Sequence, residues 1–166
     1  MVASGQVVVN TTDRFRMALP LDDRMFEEGY CIGIYEATVD QGPRIRLPRP
    51  VVKVLQERKV HELWRFPDPS GRRMILCPSE HRKCYIQRIK EEFSEVEDPG
   101  LAYRRYLCSG TPIAMKNHGR VSIVSAVRNH MLVEAGEVVV ILGAGYWYEL
   151  WKQDDWLNAS DKTNAQ

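Results

Sequence analysis

The side chains of this 166-residue chain best suited to chemistry are arginines set on turns. The first is Arg44, which follows Asp40 in a D-x-x-x-R spacing across Gln41-Gly42-Pro43. A guanidinium offers five N–H donors in a rigid fork, a shape matched to phosphate oxygens and to the O6 and N7 acceptors of guanine. A carboxylate four positions earlier, across a Gly-Pro turn, is placed to clamp that fork. Arg46 and Arg49 follow at once and add cations suited to phosphate. The turn-then-arginine arrangement returns as Lys116-Asn117-His118-Gly119-Arg120. There Lys116 stands where the carboxylate stood, and His118 is suited either to a phosphate contact or to an unusual φ. Two readings fit the first turn: an ion pair that only fixes a tight loop, or an arginine held ready for an anion or a base edge.

These turns belong to a longer repetition. Aligning Arg44 with Arg120 also aligns Leu47 with Ile123 and Val51 with Val127, and a shift of one or two residues later matches Ile75-Leu76-Cys77 to Glu149-Leu150-Trp151. Each copy reads as a turn ending in Arg, a short apolar strand, a helix and an apolar hairpin. One such unit is too small to bury its own apolar face, so duplication implies a fused pair sharing a core.

The elements that must position the arginines follow from local pattern. Ile32–Val39 is rich in β-branched and aromatic residues and predicts a strand. Arg44-Ile45-Arg46-Leu47 alternates, which puts both arginines on the wet face and Ile45 and Leu47 inward. Pro50 suits the first turn of a helix whose Val51, Val54 and Leu55 share one side. Val60–Phe66 and Arg73–Cys77 flank Asp68-Pro69-Ser70-Gly71 as a hairpin, and Val138–Leu142 and Tyr146–Trp151 flank Gly143-Ala144-Gly145 as a second. Between the copies, Ser79 is a candidate N-cap for a helix carrying Ile86, Ile89, Phe93 and Val96. Asp98-Pro99 opens another, carrying Tyr103, Tyr106 and Leu107. Ser125 is a candidate cap in the second copy. The tail after Asp161 is polar and reads as frayed, and residues 1–29 have no counterpart in the second half and read as an irregular extension.

Composition narrows the function classes. With 44% hydrophobic and 27% charged residues the chain is of ordinary soluble composition. No apolar run approaches the roughly 18 residues of a membrane span, and the N-terminus lacks a secretory pattern, so a cytoplasmic location is expected. Formal charge is only +1, yet Pro43–Lys90 holds 13 Lys and Arg against 4 acids, the footprint expected of a phosphate-binding half. Cys31, Cys77, Cys84 and Cys108 lack framework spacing and read as reduced thiols. Cys77, His81 and Cys84 form a C-x3-H-x2-C cluster that matches no usual zinc spacing, so no metal is expected. Trp64, Trp147, Trp151 and Trp156 lie on or beside apolar hairpins and are expected in the core or at subunit contacts. Nothing resembles a phosphate loop, a nucleophile elbow or a metalloprotease helix, and neither catalysis nor a cofactor is expected.

The run Gly33-Ile34-Tyr35-Glu36-Ala37-Thr38-Val39-Asp40-x-x-x-Arg44-Ile45-Arg46-Leu47-Pro48 resembles the opening of MraZ proteins, G-x-Y-x-x-x-L-D-x-K-G-R followed by an apolar strand and Pro. Gly119-Arg120-Val121-Ser122-Ile123 and Tyr148-Glu149-Leu150-Trp151 resemble that family's second G-R turn and its F-E-L-W ending, and the likeness covers about residues 32–156. It implies an α+β, mainly β fold: tandem AbrB-type (SpoVT-AbrB) swapped-hairpin units forming a pseudo-symmetric β-barrel with covering helices. The units would be residues 30–78 and 111–157, with 79–110 a helical connector and 158–166 a polar tail. It also implies a nucleoid-associated transcriptional regulator that binds double-stranded DNA at promoter repeats of division and cell-wall genes, as a ring-shaped homo-oligomer. The motif matches imply Asp40, Arg44 and Arg120 as DNA-binding residues, and the charge and turn chemistry read above add Arg46, Arg49, Lys116 and His118 as expected contacts. Two departures stand out: Gly42-Pro43 replaces the family's Lys-Gly, and Lys116 replaces the second Asp. They leave open an oligomeric scaffold, or an antitoxin-like partner-binding module of the same fold, that has lost operator recognition.

Overall fold

Exposure alternates along the first strand, β1 (Ile34–Thr38), because its odd positions, Tyr35 and Ala37, turn toward a core while Ile34, Glu36 and Thr38 face outward. The chain is seen in a computed structural model that describes residues 29–42, 44–68, 71–114, 119–122 and 130–164. The expected N-terminal extension, apart from residue 29, and the Ser125 cap lie outside the described residues.

After β1 come β2 (Arg44–Arg46), α1 (Arg49–Glu57), β3 (Glu62–Pro67) and β4 (Met74–Pro78). A short 3-10 turn (Ser79–His81) leads to α2 (Arg82–Glu92) and α3 (Pro99–Leu107). The second copy supplies β5 (Thr111–Ala114), β6 (Arg120–Ser122), β7 (Val138–Gly143) and β8 (Tyr148–Lys152), and α4 (Gln153–Asn164) ends the described chain. Six strands form one antiparallel sheet in the order β1-β7-β8-β4-β3-β5, while β2 and β6 pair as a separate two-stranded ladder.

That order reads the same after exchanging the copies. An offset of 76 residues carries β2 onto β6 and β3 onto β7 end for end, and it carries β1 onto the neighbourhood of β5. Under this exchange the pairing of β1 with β7 becomes the pairing of β5 with β3, so each copy's first strand is held by the other copy's hairpin. The first hairpin turn has six residues, Asp68 to Arg73, and the second has four, Ala144 to Trp147. This difference is the source of the shift that sequence alignment needs before Ile75 meets Glu149. In the sheet these two residues lie directly opposite each other.

Apolar residues leave both faces of the sheet covered. One core gathers Leu63, Leu76, Val139, Ile141 and Leu150 under Ile45, Val51, Leu55 and Val121 of the β2–β6 ladder and α1. The other gathers Phe66, Ile75, Cys77 and Trp147 under Tyr85 and Ile89 of α2 and Tyr106 of α3. On α4, Trp156 packs edge-on to Trp151, with ring centroids 5.5 Å apart. Trp147 and Trp151 are buried, as their apolar hairpin predicts.

The α+β class holds, but the barrel does not: the sheet is open, with β1 and β5 at opposite edges. Interleaving sends each copy's first strand outward, so closure would require β1 to meet β5 across the whole sheet. Three local expectations also change. Ser79 caps no helix; its hydroxyl donates to the Glu62 carbonyl at 2.9 Å from within the 3-10 turn. Val96 lies beyond the end of α2 and is exposed. The tail read as frayed is helical to Asn164. Asp98 does cap α3, its carboxylate accepting from the Leu101 N–H at 3.1 Å.

The longer first hairpin turn carries charge inward. Asp68 Oδ2 lies 2.6 Å from Arg73 Nη2, and the Arg73 guanidinium sits 4.5 Å over the Trp151 ring. Arg88 lies over Trp147 at 4.6 Å, and buried Glu149 accepts from Trp151 Nε1 at 3.1 Å. Burial, and next the nearby Asp68 charge, push the Glu92 carboxyl up to about 7 against the opposing pull of Arg88 and Arg73.

Two outcomes follow. A side chain at Gly143 would overlap the Ile32 backbone, so Gly143→Ala should cost about 2–4 kcal/mol in urea denaturation; a loss below 0.5 kcal/mol contradicts the packing. Because the folded state holds a proton on Glu92 that the unfolded chain releases, this group's stabilisation is lost as pH rises toward about 7. The unfolding free energy of the wild type, minus that of Glu92→Gln, should therefore fall between pH 5 and 7.5; a flat difference refutes the shift.

Candidate nucleic-acid interface

Ile45 and Val121, 0% and 2% exposed, face each other at the centre of the β2–β6 ladder and anchor it to the core beneath. On either side Arg44 pairs with Ser122 and Arg46 with Arg120. The 76-residue offset turns each of these pairs into the other and leaves Ile45–Val121 in place, so a local two-fold axis runs through the buried pair. Arginine turns far apart in the chain are thereby brought to one small ladder. Alternation from buried Ile45 puts Arg44 and Arg46 on the outer face, and both are exposed.

The Asp40 carboxylate organises the first turn. Its Oδ1 accepts from the Gly42 N–H at 2.9 Å and from the Arg44 N–H at 3.0 Å, while Oδ2 lies 3.4 Å from Arg44 Nε. The Asp40 N–H closes the loop by donating to the Arg44 carbonyl at 2.8 Å. Asp suits this place because its short carboxylate bonds backbone donors two and four residues on. Both side chains are a little under half exposed, so the pair adds little stability and its effect is orientation.

Helix α1 extends the cationic surface. Pro50 lies in its first turn, and Val51 and Leu55 face the core. Arg49 and Lys53, one turn apart, are left outside. A cleft of about 830 Å³ runs from Arg46 along this helix and is lined by Arg49, Lys53 and Gln56 among others. Lys53 and Gln56 were not among the sequence-based candidates; the i, i+4 step from Arg49 to Lys53 was the available signal.

The structure therefore brings together Asp40, Arg44, Arg46 and Arg49, and it places the Arg120 backbone opposite Arg46. Lys116 and His118 lie outside the described residues. The basic stretch is also less uniform than its charge count: Arg65, Arg73 and Arg88 are buried and add nothing to an outer footprint. Burial alone holds the Arg65 guanidinium below its ordinary range.

The chain is 24% identical over 144 residues to the transcriptional regulator MraZ of Alkaliphilus metalliredigens (strain QYMF), an alignment covering 80% of this chain and 88% of that protein. No family model matches the chain. The likeness is thus to a transcriptional regulator, and it spans most of both chains. No helix among the described residues is long and apolar enough to cross a membrane.

Gly119 ties the ladder to α1. Its φ is +72°, it is buried, its carbonyl accepts from the Leu47 N–H at 2.9 Å, and a Cβ there would overlap Val52 Cγ2. Gly119→Ala should destabilise by about 2–3 kcal/mol from backbone strain and overlap together. Adding Val52→Ala should cost less in that background than in the wild type, because the overlap is gone; strict additivity of the two losses would show that Val52 is not the obstacle.

Proposed function

We propose that this protein is a sequence-preferring transcriptional regulator that binds double-stranded DNA and acts by occupancy rather than by catalysis. The observation that carries this reading is the β2–β6 ladder: two turn-borne arginines from distant parts of the chain share one small strand pair, and one of them is held by a carboxylate. Similarity to a transcriptional regulator over four-fifths of the chain supports it. In this reading Asp40 orients Arg44 for base edges or phosphate, Arg46 and Arg49 position the duplex through its backbone, and Lys116, His118 and Arg120 serve the second turn. The tandem units, residues 30–78 and 111–157 joined by 79–110, are of the AbrB swapped-hairpin type, a reading supported by the exchange of first strands between hairpins.

One ladder makes few contacts, so useful affinity calls for several copies. We take the active form to be a ring-shaped homo-oligomer within the nucleoid, bound at promoter repeats of division and cell-wall genes. The edge at β1 supports self-association, since Ile34 in the strand and Ile32 just before it are 59% and 61% exposed. Linked sites raise avidity by roughly 10²–10⁴ without any new contact.

A gel-shift series with the duplex upstream of the protein's own gene tests the reading. The wild type should retard that duplex at about 50 mM salt and weaken steeply as salt rises, through counterion release. Arg44→Ala should lower affinity by about ten-fold or more. No retardation at low salt refutes DNA binding, and an unchanged shift in Arg44→Ala refutes the site.

A further inference from the structure

The cleft beside α1 joins two kinds of surface. Arg46, Arg49 and Lys53 line it and are all exposed, and among the described residues no acid lines it. Arg49 and Lys53 stand one helical turn apart, about 6 Å along α1, so one side of the helix presents two cations in line. Glu57 Oε1 lies 4.0 Å from Lys53 Nζ with both side chains well exposed, a contact too weak to keep the lysine from a phosphate. The rest of the lining is largely apolar: Leu47, Pro48, Pro50 and Val52 form a wall beside the cations. Phosphate oxygens call for donors, whereas the sugars between them present C–H surface, so cations beside an apolar wall match a sugar–phosphate strand better than an isolated anion. Arg46 belongs to both the β2–β6 ladder and the cleft, so a duplex seated on the ladder reaches the cleft without leaving the cationic surface.

The apolar wall is also poor in hydrogen-bond donors. Pro48 and Pro50 have no N–H, and none of the four side chains carries a polar atom. The Leu47 N–H donates to the Gly119 carbonyl at 2.9 Å, and the Val52 N–H donates to the Pro48 carbonyl at 3.0 Å. A 2′-hydroxyl pressed against this wall gives up water and meets no donor in return, a cost that the C2′ methylene of deoxyribose escapes. That hydroxyl is the group by which a protein tells RNA from DNA at a given position.

We propose, resting on the DNA-binding reading above, that the α1 cleft seats the sugar–phosphate backbone of one strand and selects deoxyribose over ribose. Arg46, Arg49 and Lys53 hold the phosphates, and the wall of Leu47, Pro48, Pro50 and Val52 packs against a sugar. Charge complementarity and continuity with the ladder favour this occupant. Lys53 is then a positioning residue, and the prolines set sugar specificity by the donors that they lack.

The test uses the full chain and the duplex upstream of the protein's own gene, with a single ribonucleotide walked along each strand. At one or two positions on one strand the ribonucleotide should weaken binding by about five-fold or more, and elsewhere by less than about two-fold. A 2′-fluoro nucleotide shares the ribose pucker but cannot donate, so at those positions it should bind within about two-fold of the all-deoxy duplex. Pro50→Ala adds a backbone N–H in the first turn, where the helix has no partner for it, and should shrink the ribose penalty to within about two-fold. Lys53→Gln should weaken binding to the all-deoxy duplex and to a scrambled duplex alike and lower the logarithmic salt slope by about 1. A ribonucleotide tolerated at every position overturns the selection, as does an undiminished penalty in Pro50→Ala. An unchanged salt slope in Lys53→Gln overturns the seating of the backbone. Those results leave DNA binding standing, whereas failure of the wild type to retard the all-deoxy duplex at low salt brings down the DNA reading itself. Unchanged melting of Pro50→Ala and Lys53→Gln separates a changed contact from a lost fold.

Discussion

The Ile45–Val121 pair is the contact on which the candidate site depends. Both strands are three residues long, too short for stability as an isolated ribbon, so the ladder exists because its central apolar pair is driven into the core between α1 and the sheet. Burying Ile45 fixes Arg44 and Arg46 on the opposite, outer face by alternation. A one-residue slip of β2 in either direction would bury an arginine and expose Ile45, so the register is strongly specified. The outward placement of Arg44 and Arg46 is thus set by an inner hydrophobic requirement.

The same two-fold logic runs through the larger sheet, where Ile75 and Glu149 meet across β4 and β8. Symmetric packing would put like residues at this meeting point. Instead a buried carboxylate faces an isoleucine, and the neighbouring first hairpin turn, two residues longer than the second, supplies Asp68 and Arg73. Arg73 over Trp151 and Arg88 over Trp147 set cations beside the acids while using the aromatic faces of the second hairpin. Such a cluster adds little net stability over an apolar core, but removing one member strands a charge. It couples the longer hairpin to the helical layer and makes the two copies chemically distinct on the face away from the arginines.

Much of the fold was legible because duplication showed in the residues. The arginine offset, the two hairpins, Pro50 at the start of α1 and Asp98 at the cap of α3 all rest on local chemistry that reports itself. What was not legible depends on how the copies interleave. Strand exchange between hairpins is a choice among pairings with similar local patterns, so the open six-stranded sheet could not be told from a barrel. Ser79 looks like a cap in sequence, but the Glu62 carbonyl takes its hydroxyl, a partner seventeen residues away. In α4, Asp154 and Asp155 favour a helix start, yet the polar composition of the later residues hid the helix, which is held by Trp156 against Trp151.

Net charge was the weakest guide to the site, and the structure shows why. Thirteen cations in Pro43–Lys90 suggest one basic surface, but the stretch crosses both faces of the sheet and its interior. Arg65, Arg73 and Arg88 are spent inside the fold, and Arg82 lies 3.9 Å over the Trp64 ring on β3, outside the ladder. Of those thirteen, the ones that share the ladder and its cleft are Arg44, Arg46, Arg49 and Lys53, and of these Arg44 lies across the Asp40 loop. A guanidinium in solution has many rotamers to lose on binding, so the few that a neighbouring carboxylate has already ordered contribute more per contact than a larger number of free ones. In the proposed reading, the ordering of Arg44 by Asp40, more than the abundance of basic residues, is what distinguishes this face from a merely basic one.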